Sequence, residues 1–367
     1  MRFFRRTQRL AKVGPTVENE QVEASHSQEL LKLERKDVKV GSFLGEGGFG
    51  QVNVVTLKRK KNKIANKDNK SLAMKQLRTG VYNMEKMEWA AKALVRECRI
   101  MKLLRGHQHI LPIRAVGEMT THKGFKDFFL VMDALPETMS MRLQRWRTTG
   151  PTPEHLKYKL QYALQMAKAL AHCHENGVVY RDCKVDNFGF SDEHTVQLFD
   201  FGLARELPSK PIASSEGEPV YRMTICGTQR NMAPEVFKTA CYNCKADTYS
   251  WAMTVVEMIT GQKPFPRMTI PVHKVLVLEG GGRPNIEGFP SGLKAILRYS
   301  WANSLEQRWS LAQVCAHFEA FVVNEHKAVA VGATQPLPLH DQAQIKNVGA
   351  IRKIEQVPQR PLLALAA

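Results

Sequence analysis

Acidic residues are in short supply in this chain of 367 residues: 35 Asp and Glu face 53 Lys and Arg, a formal net charge of +18. Long apolar runs are missing too. No stretch approaches the roughly 20 residues needed to cross a bilayer, and no hydrophobic signal-peptide core follows the N-terminus, so a soluble chain without a membrane span is expected. Cysteines number 7, an odd count scattered through ordinary sequence. That pattern argues against a disulfide framework and for thiols in a reducing compartment, cytosol or nucleus. Core-forming residues are ample at 43% hydrophobic. The length suits one two-lobed domain of roughly 250 to 300 residues with tails, or two ordinary domains.

The excess of positive charge is patchy. Met1-Arg2-Phe3-Phe4-Arg5-Arg6-Thr7-Gln8-Arg9-Leu10-Ala11-Lys12 has no acid before Glu18. It reads as a solvated basic tail; a mitochondrial presequence is the alternative, although serines are absent from it. Lys58-Arg59-Lys60-Lys61-Asn62-Lys63, continuing through Lys67 and Lys70, lies between two strand-like segments. An exposed hairpin loop is expected there, with docking of an acidic partner as the second reading. Nucleic acid is disfavoured because no aromatics are interleaved with the charge.

Chemistry is concentrated in Tyr180-Arg181-Asp182-Cys183-Lys184-Val185-Asp186-Asn187 and in Asp200-Phe201-Gly202. The first run offers a carboxylate that can accept a hydroxyl proton, a lysine and an amide oxygen able to hold a metal; the second offers another metal-binding carboxylate. Upstream, Gly45-Glu46-Gly47-Gly48-Phe49-Gly50 separates Val38-Lys39-Val40 from Gln51-Val52-Asn53-Val54-Val55. Alone, such a glycine pattern fits dinucleotide-binding folds and chance loops equally. Here it runs into valine-rich strand sequence and not into a helix, which suits a hairpin folded over phosphates.

Taken in order with Ser71-Leu72-Ala73-Met74-Lys75-Gln76-Leu77 and with Glu97 on a helical stretch from Asn83 to Leu104, these motifs resemble the catalytic core of eukaryotic protein kinases over residues 37–322. The resemblance implies an α+β, bilobal protein kinase fold. A small β-rich N-lobe with one helix is expected over residues 37–135 and a larger, mainly helical C-lobe over 136–322, flanked by a basic tail (1–36) and a proline-containing tail (323–367). It also implies ATP and Mg2+ as cofactors and protein substrates with Ser or Thr acceptors.

By the same resemblance, Asp182 orients the acceptor hydroxyl, Lys184 contacts the γ-phosphate, and Asn187 and Asp200 bind magnesium. Lys75 bridges the α- and β-phosphates and pairs with Glu97. Gly45, Gly47, Gly50, Val52 and Ala73 line the nucleotide, and the backbone of Asp133 and Leu135 meets the adenine edge beside Met132. Lys184 together with Thr228 is the serine/threonine pattern. Thr224 falls where many kinases are phosphorylated, and Arg181 is the kind of residue that pairs with such a phosphate. Asp247 is expected to anchor the loop from below and Arg308 to pair with Glu235.

Some features stay open. Gly282-Arg283-Pro284 and Trp301 resemble the tyrosine-kinase-like group of serine/threonine kinases, whereas Tyr180 does not favour it. Gly189 departs from the family pattern, which has a leucine-like side chain there under the adenine; either the pocket floor is shallower or Phe188 or Phe190 fills it. Asp186 sits where an acid often selects basic residues before the acceptor. Cys241-Tyr242-Asn243-Cys244 is one C-x-x-C without a second pair, and no zinc site is read from it or from His172 and His174. Pro358-Gln359-Arg360-Pro361 permits a polyproline ligand, with a plain disordered tail as the simpler reading. A catalytically silent scaffold and a basic nucleic-acid-binding protein are the rival functions.

Overall fold

The computed structural model describes residues 30–47, 50–58, 70–78, 84–120, 126–150, 152–215 and 217–330. The basic head, most of the Lys58–Lys70 loop, Phe49 and the prolines of the C-terminal tail lie outside the described residues.

Six strands form the N-lobe sheet: β1 (Leu31–Glu34), β2 (Val38–Glu46), β3 (Gly50–Leu57), β4 (Leu72–Leu77), β5 (Ile113–Thr120) and β6 (Lys126–Asp133), in the order β1-β5-β6-β4-β3-β2. Strand β1 runs parallel to β5, Leu31 opposite Ala115, and the other pairs are antiparallel. Alternation decides the two faces. Leu72 and Met74 pack with Val55, Phe129 and Val131 in a cluster on one side, while Ala73, Leu130 and Met132 join the main core on the other.

The fold starts earlier than the boundary placed at residue 37. Leu30 and Leu33 are buried while Lys32 and Glu34 face solvent, so this short alternating segment adds an edge strand that the charged residues around it mask in the sequence. It also ends later. A final helix covers Leu311–Ala330, past the boundary at 322, because Leu311, Val314, Phe318 and Val322 recur at helical spacing and are buried.

Helix α1 (Met84–Leu103) crosses the sheet, burying Ala90, Leu94, Cys98 and Met101 along one stripe. Beyond β6 the chain forms β7 (Glu137–Thr138), α2 (Met139–Thr149) and α3 (Pro153–Glu175). Thr138 and Thr152 cap the two helices by accepting from Met141 N and His155 N. Short strands β8 (Val178–Val179), β9 (Phe188–Phe190), β10 (Val196–Leu198) and β11 (Arg205–Glu206) carry the loops of the site. Next come β12 (Ala213–Ser215), β13 (Glu218–Arg222), α4 (Pro234–Thr239) and β14 (Cys241–Tyr242). Helix α5 (Lys245–Thr260) is buried from Lys245 to Ile259, its polar side chains included, and the C-lobe packs around it. The described residues finish with α6 (Ile270–His273), a π-helical turn (Lys274–Glu279), α7 (Ser291–Ser300) and α8 (Leu311–Ala330). Among the described residues, no helix is long and apolar enough to cross a membrane.

Candidate active site

The loop from Tyr180 to Asn187 has only a 3-10 turn, Val185–Asn187, of its own and is shaped by α5 beneath it. Asp247, in the first turn of α5 and fully buried, accepts from Tyr180 N at 2.7 Å, Arg181 N at 2.8 Å and His174 Nε2 at 2.9 Å. These bonds hold Arg181 in the left-handed region at φ 73, a conformation L residues avoid without outside support. Asn231 Nδ2 and Thr254 Oγ1 both donate to Cys183 O at 3.1 Å and tie down the next peptide.

The Asp182 carboxylate is held on both oxygens. Oδ1 accepts from Thr228 N at 3.0 Å and Thr228 Oγ1 at 2.8 Å; Oδ2 accepts from Asn187 Nδ2 at 3.0 Å and lies 2.8 Å from Lys184 Nζ. Asn187 Nδ2 also donates to Asp182 O at 2.9 Å. With that nitrogen committed, the amide oxygen is the atom of Asn187 left to meet a ligand. Phe199 N donates to Asn187 O at 3.1 Å and brings the Asp200 segment alongside.

Lys75, on β4, reaches Glu97 of α1 at 2.7 Å and Asp200 at 2.8 Å. Burial works to strip the ammonium of its charge, but the two carboxylates outweigh it and hold its pKa above the ordinary lysine value. Burial likewise acts to raise Asp200, and Lys75, with help from the Gly202 amide and Lys184, brings its pKa below the usual aspartate range. Asp200 takes the left-handed conformation at φ 59, and Phe201 behind it is fully buried, edge-on to Tyr180 at 5.4 Å. Tyr180 Oη donates to Phe199 O at 2.6 Å, so the phenol that stands where histidine is usual locks the backbone leading into Asp200.

The nucleotide-facing residues lie on the adjoining strands. Val52 is opposite Lys75 and Ala73 opposite Val54; Ala73 is buried and Val52 packs against the same core. Among the loop glycines, Gly50 has a steric reason, since a Cβ there would sit 3.1 Å from Gln76 O. At Gly45 and Gly47 a methyl would meet open space. Asp133 ends β6, and its N–H is taken by Pro112 O at 3.3 Å. Gly189 has its explanation here too: a Cβ would meet Leu135 Cδ1 at 2.5 Å and Glu137 O at 3.0 Å. Leu135 fills the volume that a leucine at 189 would occupy, while Phe188 and Phe190 point into the core, Phe190 under the Arg142 guanidinium at 3.5 Å.

Arg181 NH1 donates to Thr224 Oγ1 at 3.0 Å, and Tyr242 Oη donates to Thr224 O at 2.8 Å. Burial depresses the pKa of Arg96 on α1, as do Arg181 and Arg205 beside it, and its buried Nε has no hydrogen-bond partner. The segment before Thr224 is strapped to the C-lobe: β12 pairs with β13, β13 with β14, and Lys245 Nζ reaches Glu218 at 2.7 Å. Arg308 NH1 and NH2 donate to the two Glu235 oxygens at 2.5 and 3.1 Å, with the Arg308 side chain wholly buried.

A carboxylate held among donors, a lysine bridging two acids across the cleft, and a glycine hairpin above them together suit transfer of a phosphoryl group. Residues 38–318 match the family model described as protein kinase domain. The chain belongs to the protein kinase family. Serine/threonine-protein kinase PKH2 of Saccharomyces cerevisiae is 24% identical over 304 residues, 80% of this chain and 26% of that protein. CBL-interacting protein kinase 25 of Oryza sativa is 28% identical over 230 residues, 62% and 40% of the two chains. Protein kinase 3 of Dictyostelium discoideum is 30% identical over 247 residues, 65% and 24%. This kinase chain therefore spans less than half the length of these relatives.

A protein kinase domain takes ATP as its phosphoryl donor, typically with Mg2+, and acts on protein substrates. The donors here fit a hard cation: a low-pKa carboxylate at Asp200 and an amide oxygen at Asn187. Among the described residues there is no group of three or more His, Cys, Asp or Glu that could hold a metal ion. Sequence reasoning missed the neighbours that come from remote elements: Arg96 and Arg205 in the field of Arg181, Arg114 beside Asp133, Glu257 in the field of Asp186. The acids and arginines themselves were visible; their pairing was not.

Proposed function

We propose that this chain is a serine/threonine protein kinase that transfers the γ-phosphoryl group of ATP to Ser or Thr hydroxyls of proteins. The observation that carries the reading is the fourfold hold on Asp182 by Thr228, Asn187 and Lys184. A carboxylate so fixed can receive the proton of an incoming hydroxyl as its oxygen bonds to the γ-phosphorus and the bond to the β-phosphate oxygen breaks, releasing ADP. Lys184 supplies positive charge beside the moving phosphoryl group, and Lys75, aligned by Glu97, holds the α- and β-phosphates. Asn187 and Asp200 would hold Mg2+, which when bound neutralises phosphate charge. The serine/threonine names of the relatives support the acceptor class.

Thr224 is the proposed switch. A phosphate on it would meet Arg181 directly and the neighbouring Arg96 and Arg205, giving charge-assisted bonds that tie α1 to the segment. Basic residues ahead of the acceptor are the proposed preference. Glu257 of α5 is 6% exposed, and burial together with nearby Asp186 raises its carboxyl pKa, Lys263 and Arg147 offsetting this only in part. Two carboxylates so placed are relieved by an arginine between them. The reducing cytosol or nucleus is the proposed compartment, in keeping with seven free thiols. At the Lys58–Lys70 loop, one end already has an acidic partner within the chain, Glu193, 3.0 Å from Lys70 Nζ.

Transfer from labelled ATP to a generic basic protein tests the reading. Wild type should label Ser and Thr, and Asp182→Asn should lose roughly 100- to 10000-fold in kcat. A silent wild type, even after treatment with an activating kinase, would favour the scaffold. Thr224→Ala should lower activity and make it insensitive to phosphatase; unchanged activity and phosphatase response would remove Thr224 from the account.

A further inference from the structure

The hinge between the lobes carries an ionic pair that the phosphotransfer chemistry does not use. Strands β5 and β6 lose register between Ile113 and Ala115, opposite Met132 and Val131, which leaves Arg114 as the extra residue of a bulge. A bulge re-aims the side chain it carries. Arg114 is turned onto Asp133, the last residue of β6, with Nε 2.6 Å from Oδ1 and NH2 2.9 Å from Oδ2. This planar two-bond fork fixes orientation as well as distance. The Asp133 side chain is 6% exposed and that of Arg114 20%.

The backbone around the pair is fixed as well. Asp133 N donates to Pro112 O at 3.3 Å and Ala134 N to Ser71 O at 2.8 Å. Below, Leu135 packs onto Gly189. Asp133 also lies in the field of Lys70, whose ammonium reaches across to Glu193 in the turn between β9 and β10. Charge thus runs from the bulge through the hinge to the C-lobe.

We infer that Arg114 is a positioning residue for the nucleotide: through Asp133 it sets the hinge backbone that receives the adenine edge, so that ATP affinity depends on it and phosphoryl transfer does not. The inference rests on the kinase reading for the role of the Asp133–Leu135 backbone. A pair that only stabilised the lobe would lower melting temperature without singling out the nucleotide.

The full chain is assayed for ATP KM, peptide KM and kcat, and separately for binding of a ribose-labelled fluorescent ATP analogue, which needs no turnover. Arg114→Met should raise both the ATP KM and the analogue Kd about tenfold, leaving kcat at saturating ATP and the peptide KM within about twofold. Arg114→Lys, which keeps the charge and loses the fork, should fall between, and it serves as the readable variant if Arg114→Met does not fold. Adding Asp133→Asn to Arg114→Met should recover part of the affinity, because the stranded buried charge is then gone. An unchanged ATP KM and analogue Kd would overturn the inference, as would a fall in melting temperature with all three kinetic constants moving together. Analogue binding without any transfer would fail the kinase reading and leave the hinge test standing.

Discussion

The floor of the cleft and its roof are held together differently. Beneath, Asp247 and the partners of Asp182 form a set of short bonds among buried and half-buried groups of the same lobe. Above, the nucleotide side hangs on Lys75, whose partners Glu97 and Asp200 sit on a helix and on a loop of the other lobe. A buried network with every donor met has one arrangement and resists change. Ion pairs between separate bodies can be made and broken together, which is what a switch acting through Arg181, Arg96 and Thr224 needs. The floor should therefore be costly to break, and the roof should respond in nucleotide affinity.

The largest effect is expected at the floor. Asp247→Asn keeps the size but loses the charge and turns one acceptor into a donor, facing Tyr180 N and Arg181 N in a site with no water access. Leaving such groups unmet should cost about 3 to 5 kcal/mol. At about 2 to 4 °C per kcal/mol, thermal unfolding should shift down by about 10 °C. Activity should fall with it, since Arg181 loses the support for its positive φ. A variant with unchanged melting temperature and kcat would show that the floor is not what orients the loop.

This contrast also separates what could be read in the chain from what could not. The floor and the chemistry were legible because their residues fall in short contiguous runs, Tyr180 to Asn187 and Asp200 to Gly202, with Asp247 opening a recognisable apolar helix. The two-lobed fold followed from the order of those runs. Contacts made by bulges and bends left no such mark. Arg114 reads as an ordinary strand residue until the register shift turns it, and Leu135 covers Gly189 only because β7 pairs with β9. Leu31–Glu34 is too short and too charged to announce a strand; it exists because β5 offers a free edge in parallel register.

A smaller effect belongs to the nucleotide pocket, where Leu135 packs onto Gly189. Gly189→Leu restores the side chain that kinases usually place there and drives it into Leu135 Cδ1 and Glu137 O. Overpacking of this kind costs about 1 to 3 kcal/mol. The hinge is the softer neighbour, so the ATP KM should rise several-fold while kcat at saturation holds. Pairing it with Leu135→Ala should return the KM toward wild type, because one leucine then fills the volume that one leucine fills now. If the double variant is worse than the sum of the singles, the two positions are not sharing a volume.

The smallest expected effect is a pH dependence at the edge of the floor. The Glu257 carboxyl has its pKa raised by burial and by Asp186, so it loses its charge at a higher pH than an exposed glutamate does. The charged form is the one that attracts an arginine ahead of the acceptor. Preference for arginine over alanine in otherwise identical peptides, read as the ratio of kcat/KM, should therefore be full above the raised pKa and fade as pH falls through it. A loss of several-fold to about tenfold is expected, the size of one ion pair of this kind. Glu257→Gln should show the low ratio at every pH, whereas Asp186→Asn should lower Glu257's pKa and move the fading to more acidic pH. A ratio that stays constant with pH, or that survives Glu257→Gln, would mean that arginine is read elsewhere and that the buried acid is only a feature of α5.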